Sequence, residues 1–279
     1  DVDTAFVELQ AGTIDILKYL TAAQAETLGD DYNIVQGSMN LVHAMYLNSA
    51  YEPLSKTEVR QALCYAVDRD AINSFIFGGK SHIIGSHMIP AMSKYYEPEA
   101  ETVYSYDPEK AKELLAEAGI ETPYDLGEIL VAEKYSNLAT VIQNDLKAVG
   151  LDVTISVKEF NSYISDLQNG SYGITALNMT LEGDTQTLEM AFTSDYIGIA
   201  NNARYSDEEM DKLFEQARTE TDNDKRAEIF NEIFTKVQDE AIYAVMCNPM
   251  TLYAYNSDLS CPEFVLEGNY YLYDFSWAE

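Results

Sequence analysis

The regular alternation of helix and strand patterns between residues 108 and 177 most constrains how this chain can fold. Helical patterns, with apolar residues three or four apart, each lead into a short apolar or alternating run. In chain order these are a helix over 108–118, a strand over 129–132, a helix over 137–148, a strand over 153–157, a helix from Ser162 to Gly170 and a strand over 174–177. Such a succession predicts an α/β fold with a mostly parallel sheet.

Residues 55–72 form the first of two stretches in which the order of residue types is distinctive, Ser-Lys-Thr-Glu-Val-Arg-Gln-Ala-Leu-Cys-Tyr-Ala-Val-Asp-Arg-Asp-Ala-Ile. Ser55 followed by Glu58 matches a capping box, in which each side chain binds a free backbone amide at a helix start. The pattern predicts one helix over residues 55–77, which ends at Gly78.

Residues 106–119 form the second stretch, Tyr-Asp-Pro-Glu-Lys-Ala-Lys-Glu-Leu-Leu-Ala-Glu-Ala-Gly. Asp107 before Pro108 predicts a helix start, and Gly119 predicts its end. The order of residue types in the two stretches exceeds what an amphipathic helix requires. It resembles the extracellular peptide-binding proteins of ABC importers, solute-binding protein family 5, which include oligopeptide-, dipeptide- and nickel-binding members.

The resemblance continues in order along the chain. Residues 140–154 are similar to the family's helix-to-strand unit, and residues 205–213 with 224–226 are similar to its late helical pair. The resemblance therefore implies an α/β, periplasmic-binding-protein-like lobe of type II (cluster C), in which helices flank a mixed sheet, together with remnants of the partner lobe.

The family pattern also implies a domain organisation. The expected parts are a remnant of domain I with the crossing region (1–45), a large C-terminal, domain III-like lobe (46–248) and a return segment to domain I (249–279). Two strand-like runs, 242–246 and 251–255, are split by Asn248 and Pro249. Family members are considerably longer than these 279 residues, so the chain is expected to be a fragment that lacks the N-terminal part.

The sharpest candidate for ligand binding is the segment 178–184, which directly follows the strand over 174–177. Loops at the carboxyl ends of strands commonly bind ligands in open α/β sheets. The segment resembles the family's Gly-Trp-x-x-Asp, whose Asp holds the terminal ammonium of a dipeptide, and this role falls by position on Asp184. Leu181 stands where the family has Trp, and a plain helix-capping role for Asp184 is the alternative.

A cation that binds the carboxylate of the ligand is expected near residue 134. Dipeptide-binding members use an Arg there, but no Arg lies between residues 130 and 138, and Lys134 is the nearest cation. Lysine provides a point charge without the bidentate fork of arginine, and a solvated surface lysine is the alternative. The complete expected ligand-binding set is Asp184, Asn178, Glu182, Thr185, Lys134, Tyr135 and Asn48.

Composition excludes several classes of function. With 17 basic and 47 acidic residues the net charge is −30, which repels phosphate backbones and excludes a nucleic-acid partner. No apolar run reaches about 18 residues, so no membrane span is predicted. No signal peptide can be read, and export is implied by the resemblance alone.

Cysteine and histidine usage leaves two alternatives open. The three cysteines are an odd number, with core packing expected for Cys64 and Cys247, and a bridge from Cys247 to Cys261 as the alternative. His82 and His87 lie near two methionines, Met88 and Met92, which suggests a metal only through the nickel-binding relatives. The sequence predicts no metal site and no cofactor.

The sequence predicts a binding protein and no enzyme, because it has no nucleophile elbow, phosphate-binding glycine loop or zinc-protease motif. The resemblance implies a monomeric, extracytoplasmic receptor, either a cell-surface lipoprotein or periplasmic, that captures di- or oligopeptides and delivers them to a membrane-embedded ABC permease. The alternatives are a receptor of the same class for nickel, heme or a sugar, and a freestanding acidic protein-interaction module.

Overall fold

The computed structural model describes residues 2–90, 96–180, 185–260 and 272–278. The helices are α1 (Val2–Gln10), α2 (Ala22–Thr27), α3 (Thr57–Ala66), α4 (Arg69–Phe77), α5 (Pro108–Glu117), α6 (Ser136–Ala148), α7 (Phe160–Asn169), α8 (Glu189–Phe192), α9 (Glu208–Thr219) and α10 (Asn223–Asp239). The strands are β1 (Ile16–Leu20), β2 (Tyr32–Ser38), β3 (Leu41–Leu47), β4 (Ser81–Ile83), β5 (Tyr124–Ala132), β6 (Leu151–Lys158), β7 (Ile174–Thr180), β8 (Tyr243–Asn256), β9 (Leu259–Ser260) and β10 (Ser276–Trp277). Short 3-10 helices include Glu133–Tyr135 and Thr185–Leu188.

The main sheet is mixed, with the strand order β1-β8-β3-β7-β5-β6, and both β2 and β4 also pair with β8. Only β5 pairs in parallel, with β6 and with β7, and the other ladders of this sheet are antiparallel. The expectation of a mostly parallel sheet is therefore wrong. Within this sheet, parallel pairing is confined to the run β5-α6-β6-α7-β7, where helical crossovers connect the strands.

Strand β8 runs without interruption through Asn248 and Pro249, so the expected split into two strands is wrong. Its first half pairs with β3 and its second half with β1 and β2. Pro249, which has no amide hydrogen to donate, lies where the partner changes, and its carbonyl accepts from Met39 N at 3.1 Å. The Asn248 side chain donates to the carbonyls of Met39 and Leu41, at 2.6 and 2.7 Å, and holds the connection between β2 and β3.

Three apolar clusters form the core of the described residues. Two large clusters involve the sheet formed by β3, β5, β6, β7 and the first half of β8, one with α3, α5 and α6 and the other with α8, α9 and α10. A third, smaller cluster joins α1, β1 and α2 to the second half of β8. None of the helices in the described part of the chain is long and apolar enough to cross a membrane.

The stretch from residue 55 to 77 forms two helices, which corrects the prediction of one. Asp68 starts α4, because its carboxylate accepts from Ala71 N at 2.9 Å. The predicted capping box is also wrong, since the Ser55 hydroxyl donates to Glu52 at 2.6 Å and the helix starts at Thr57 without a side-chain cap. The helical hydrogen bonding is interrupted at Val67 and Asp68, and the stretch therefore forms two shorter helices.

Other helix limits depend on which acidic side chain reaches the free amides. The predicted start at Asp107 is confirmed, because its carboxylate accepts from Lys110 N at 2.9 Å. Helix α7 starts before Ser162, because the Glu159 side chain accepts from the backbone of Asn161 and Ser162. In each case the carboxylate satisfies amide donors that the first helical turn leaves unpaired.

Two arginines of the first distinctive stretch bind backbone. The Arg60 side chain is buried and donates to the carbonyls of Leu54 and Glu240, both at 2.9 Å. Arg69 donates to the carbonyls of Ile84, Glu101 and Tyr104 within 2.9 Å. These two residues of the family pattern therefore connect helices and loops within the fold.

Cys64 and Cys247 are buried free thiols, and Cys261 lies outside the described residues. Burial raises the pKa of both buried thiols to about 12. They therefore remain protonated at neutral pH and pack as small apolar groups, as the sequence predicts.

Candidate functional site

The carboxyl ends of β5, β6 and β7 lie at one edge of the sheet, because β5 is parallel to both neighbours. Lys134 and Tyr135 follow β5 directly, in the 3-10 helix Glu133–Tyr135. Asn178 lies near the end of β7. Side chains predicted from separate parts of the sequence thus meet at the edge where open α/β sheets commonly bind ligands.

Tyr135 and Asn178 are joined directly. The Tyr135 hydroxyl donates to Asn178 Oδ1, and the buried Tyr135 ring carries the Lys134 ammonium 4.8 Å from its centroid. Because the Tyr135 hydroxyl uses only the Asn178 oxygen, the Asn178 side-chain NH2 group is not used in this bond. Lys134 is exposed to solvent. The three side chains can therefore offer a ligand an amide donor, a hydroxyl acceptor and a positive charge.

His43, which was not among the residues predicted from the sequence, belongs to the same cluster. It lies opposite Asn178 in the β3–β7 ladder, and its ring centroid is 5.7 Å from that of Tyr135 and 5.2 Å from that of Phe77. Burial, and secondarily the charge of Lys134, lower the pKa of His43 to about 4. The imidazole is therefore neutral at pH 7. A lone histidine in the apolar run over 41–47 was the available signal.

Two concave regions flank Lys134. The first, which we call the α4 hollow, has a volume of about 300 Å³, and its lining includes His43, Phe75, Phe77, Lys134, Tyr135 and Leu138. The second, the β6 depression, has a volume of about 540 Å³ and is lined by Ala132, Glu133, Lys134, Glu159 and Phe160. Lys134 lines both regions, so one cation is shared between them.

The predicted ammonium-binding segment is described only in part. Asp184 and Glu182 lie outside the described residues. Thr185 opens the 3-10 helix Thr185–Leu188 and is buried, and its hydroxyl has no hydrogen-bond partner among the described residues. The roles predicted for Asp184, Glu182 and Thr185 remain predictions.

Asn48 lies away from this cluster. It follows β3 at the edge where β7 begins, since Leu47 pairs with Ile174. Its buried side chain donates to the Tyr172 carbonyl at 2.6 Å and accepts from Ala50 N at 3.0 Å. The structure thus gives Asn48 a role in holding loops together at the opposite edge of the sheet.

The histidines considered for a metal have other partners. His87 is fully buried, its ring contacts Phe192 and Tyr243, and burial lowers its pKa to about 3. His82 Nε2 lies 2.7 Å from a Glu101 carboxylate oxygen, and Met92 lies outside the described residues. No group of three or more His, Cys, Asp or Glu suited to a metal occurs in the ranges that the structure describes.

Comparison with known proteins gives consistent results. A family model described as "Bacterial extracellular solute-binding proteins, family 5 Middle" matches residues 1–196. The Dipeptide-binding protein of Escherichia coli K12 is 28% identical over 254 residues, which cover 86% of this chain and 47% of that protein. Heme-binding protein A of Haemophilus influenzae is 28% identical over 254 residues, which cover 86% of this chain and 46% of that protein. The chain therefore spans about half the length of these relatives.

A solved structure shares the fold over the whole chain. It is the ABC transporter substrate-binding protein CtaP of Listeria monocytogenes, with a TM-score of 0.90 and 22% sequence identity, and the match covers 100% of this chain and 59% of that one. This likeness confirms the predicted fold class, an α/β periplasmic-binding-protein-like lobe with a mixed sheet flanked by helices.

Proposed function

The chain belongs to the bacterial extracellular solute-binding proteins of family 5, and from this membership we propose that it captures extracellular peptides for an ABC importer. The observation that carries the proposal is the meeting of Lys134, Tyr135 and Asn178 at the carboxyl edge of the parallel strands. A cation, a hydroxyl and an amide suit a peptide, which combines charged termini with backbone hydrogen-bonding groups. The similarity to a dipeptide-binding protein supports the same choice.

The proposed contacts distinguish the two peptide termini. Asp184, with Glu182, Asn178 and Thr185, receives the ammonium, because a carboxylate forms a charge-assisted hydrogen bond with it. Lys134 attracts the peptide carboxylate, and Tyr135 positions Asn178. Asn48 is not part of this proposed site, because its side chain is occupied by backbone at the other edge.

The proposal includes the setting in which the protein acts. It works outside the cytoplasm as a monomer, binds its solute without transforming it, and hands the solute to a membrane permease. Since the chain spans about half the length of its relatives, ligand capture is proposed for the protein at its natural length.

Native mass spectrometry of the natural-length protein, purified without refolding, tests the proposal. We expect a ladder of co-purifying peptide masses. A single mass for a metal complex, heme or sugar would contradict peptide capture and favour another solute of the same receptor class.

The variant Asp184→Ala then tests the ammonium contact. We expect at least a tenfold loss of affinity for peptides with a free amino terminus, because a charge-assisted bond is lost. Asp152→Ala, at the exposed start of β6, is the matched control and should bind as the wild type does. Equal affinities for the two variants would remove Asp184 from the site.

A further inference from the structure

We propose that the α4 hollow is a side-chain pocket that selects peptides carrying an aromatic residue at their free carboxyl terminus. The inference rests on the proposed peptide-binding function, and it adds a chemical preference to it. Three features of the hollow carry the argument: its aromatic wall, its size and charge, and the exposed cation at its rim.

The aromatic wall is built from three different elements. His43 from β3 packs its ring against Phe77 from α4 and against Tyr135 after β5, with centroid distances of 5.2 and 5.7 Å. Aromatic rings attract a further ring in edge-to-face or offset contacts at such distances. An aromatic ligand side chain would therefore gain ring contacts that an aliphatic side chain cannot provide.

Phe75 extends this wall toward solvent. It lies in the last turn of α4, lines the hollow and is 80% exposed. A phenylalanine this exposed contributes little to folding, since its ring is not removed from water. A ligand ring entering the hollow would cover it, so Phe75 is suited to ligand contact.

The size and charge of the hollow favour one large side chain. Its volume of about 300 Å³ is at the lower end of the range for ligand pockets, so it suits a single side chain better than a large planar cofactor. His43 is neutral at pH 7, because burial and the charge of Lys134 lower its pKa to about 4. A neutral imidazole lets an apolar ring enter without desolvating a charge.

Lys134 is the proposed binding partner of the terminal carboxylate of the peptide. Its ammonium lies 4.8 Å from the Tyr135 ring centroid and forms no ion pair with any residue in the described ranges. The other lysine near this edge, Lys158 at the end of β6, lies 3.8 Å from Asp166. A carboxylate at Lys134 would place the adjacent side chain of the ligand beside the hollow, which links the aromatic preference to the free carboxyl terminus.

Isothermal titration calorimetry on the natural-length protein tests the pocket. The probes are alanine peptides of two to five residues, the same peptides ending in Phe, and the Phe peptides with an amidated carboxyl terminus. We expect at least tenfold tighter binding for Phe over Ala at the carboxyl terminus. Amidation should weaken binding of the Phe peptides at least tenfold, because the partner of Lys134 is removed.

Two variants connect the preference to the α4 hollow. Phe75→Ala should reduce the Phe-over-Ala preference at least threefold, and its high exposure means that the variant should fold normally. Ile199→Ala is the matched control, because Ile199 is 66% exposed and is not among the residues that line the α4 hollow. This control should keep the wild-type preference.

The possible results separate the two proposals. Equal binding of Ala and Phe peptides, or a preference that survives in Phe75→Ala, would overturn the pocket and leave peptide capture standing. Failure of every peptide to bind, with a heme, metal complex or sugar binding instead, would overturn both. A preference for Phe that persists after amidation would remove the carboxylate contact with Lys134 and overturn the inference as stated.

Discussion

At the scale of single residues, Asp145 shows how burial can oppose a useful hydrogen bond. Its Oδ2 accepts from Asp68 N at 3.0 Å, beside the start of α4. Burial, and to a lesser degree the charge of Asp68, raise the pKa of the half-buried Asp145 carboxyl to about 6, against the opposing effect of the backbone hydrogen bond. The carboxylate is therefore held in its charged form at neutral pH at a cost to stability.

The sign of the pH effect follows from this shift. Because the folded protein keeps the Asp145 proton up to a higher pH than the unfolded chain does, the contribution of Asp145 to stability falls as pH rises from about 4 to 6. Asp145→Asn removes the charge and keeps an oxygen acceptor. At pH 7.5 it should raise the free energy of unfolding by on the order of 1 kcal/mol, with a smaller gain at pH 5.

Urea denaturation at pH 5, 6 and 7.5 measures this difference. Asp152→Asn, at the exposed start of β6, is the control for the general relief of repulsion in a chain with a net charge of −30. An equal gain for both variants at every pH would contradict a specific role for Asp145.

Residue roles were predictable only where neighbours in sequence decide them. Asn178 could be selected because it directly follows an apolar run that had to be a strand. Asn48 could not be recognised as a loop clamp, because it binds the carbonyl of Tyr172, more than a hundred positions later in the chain. His43 was missed for the same reason, since its neighbours Phe77 and Tyr135 come from later elements.

At the scale of elements, Arg60 joins α3 to the end of α10. Its guanidinium donates to the Glu240 carbonyl at 2.7 and 2.9 Å and to the Leu54 carbonyl at 2.9 Å. Arg60 Nη2 also lies 3.2 Å from a carboxylate oxygen of Glu240. Arg60→Met should lower the free energy of unfolding by about 3 kcal/mol, because it leaves the Leu54 and Glu240 carbonyls without their donor and removes this ion pair.

Urea denaturation with a matched arginine variant checks this prediction. Arg218 is paired with Glu189 but its side chain is 54% exposed, so Arg218→Met should change stability by less than about 0.5 kcal/mol. Similar losses in the free energy of unfolding for the two variants would contradict the expectation that the buried arginine contributes more than the exposed one.

Element prediction worked best for the run from α5 to β7. Each helix there has local start or stop signals and each strand has its own apolar pattern, so type and order could be predicted. The antiparallel pairing of β3 and β8 could not be predicted, because it joins segments about 200 residues apart and no local sequence pattern specifies such contacts. The break between α3 and α4 was hidden by a continuous helical pattern, which only the capping bond of Asp68 interrupts.

At the scale of the whole molecule, the three apolar clusters differ greatly in size. The cluster of α1, β1 and α2 rests on few buried side chains in the described chain, among them Leu9 and Leu252. Regions with little buried apolar area open more readily than large cores. Amides in residues 2–38 should therefore exchange with solvent faster than those of β5 and β6.

Hydrogen exchange monitored by mass spectrometry tests this difference. Leu9 is fully buried in the small cluster, so Leu9→Ala should accelerate exchange in α1, β1 and β2 and leave β5 and β6 unchanged. Val7→Ala, at a 63% exposed position of the same helix, should change neither region. A uniform acceleration along the chain by Leu9→Ala would show that all clusters unfold as one unit.

Family membership and fold class were predictable at this scale, because residue order in the two distinctive stretches is specific to the family. The proposed domain limits at residues 45 and 248 remain predictions. The preferred solute could not be read from sequence, since Lys134, Tyr135, Asn178 and His43 are brought together only by the folded sheet.

The continuity of β8 has a consequence for protein engineering. Strand β8 pairs with β1 and β2 beside the small cluster and with β3 beside the large clusters. A chimera that exchanges the part of the chain with the large clusters between relatives must therefore be joined within β8, because no loop separates its two halves. The two suitable junctions are between Asn248 and Pro249 and at Met39, where the backbone changes its pairing partner. A chimera joined there keeps each half of β8 with the partner strands of its own parent. A join before β8 would instead pair β3 of one parent with β8 of the other.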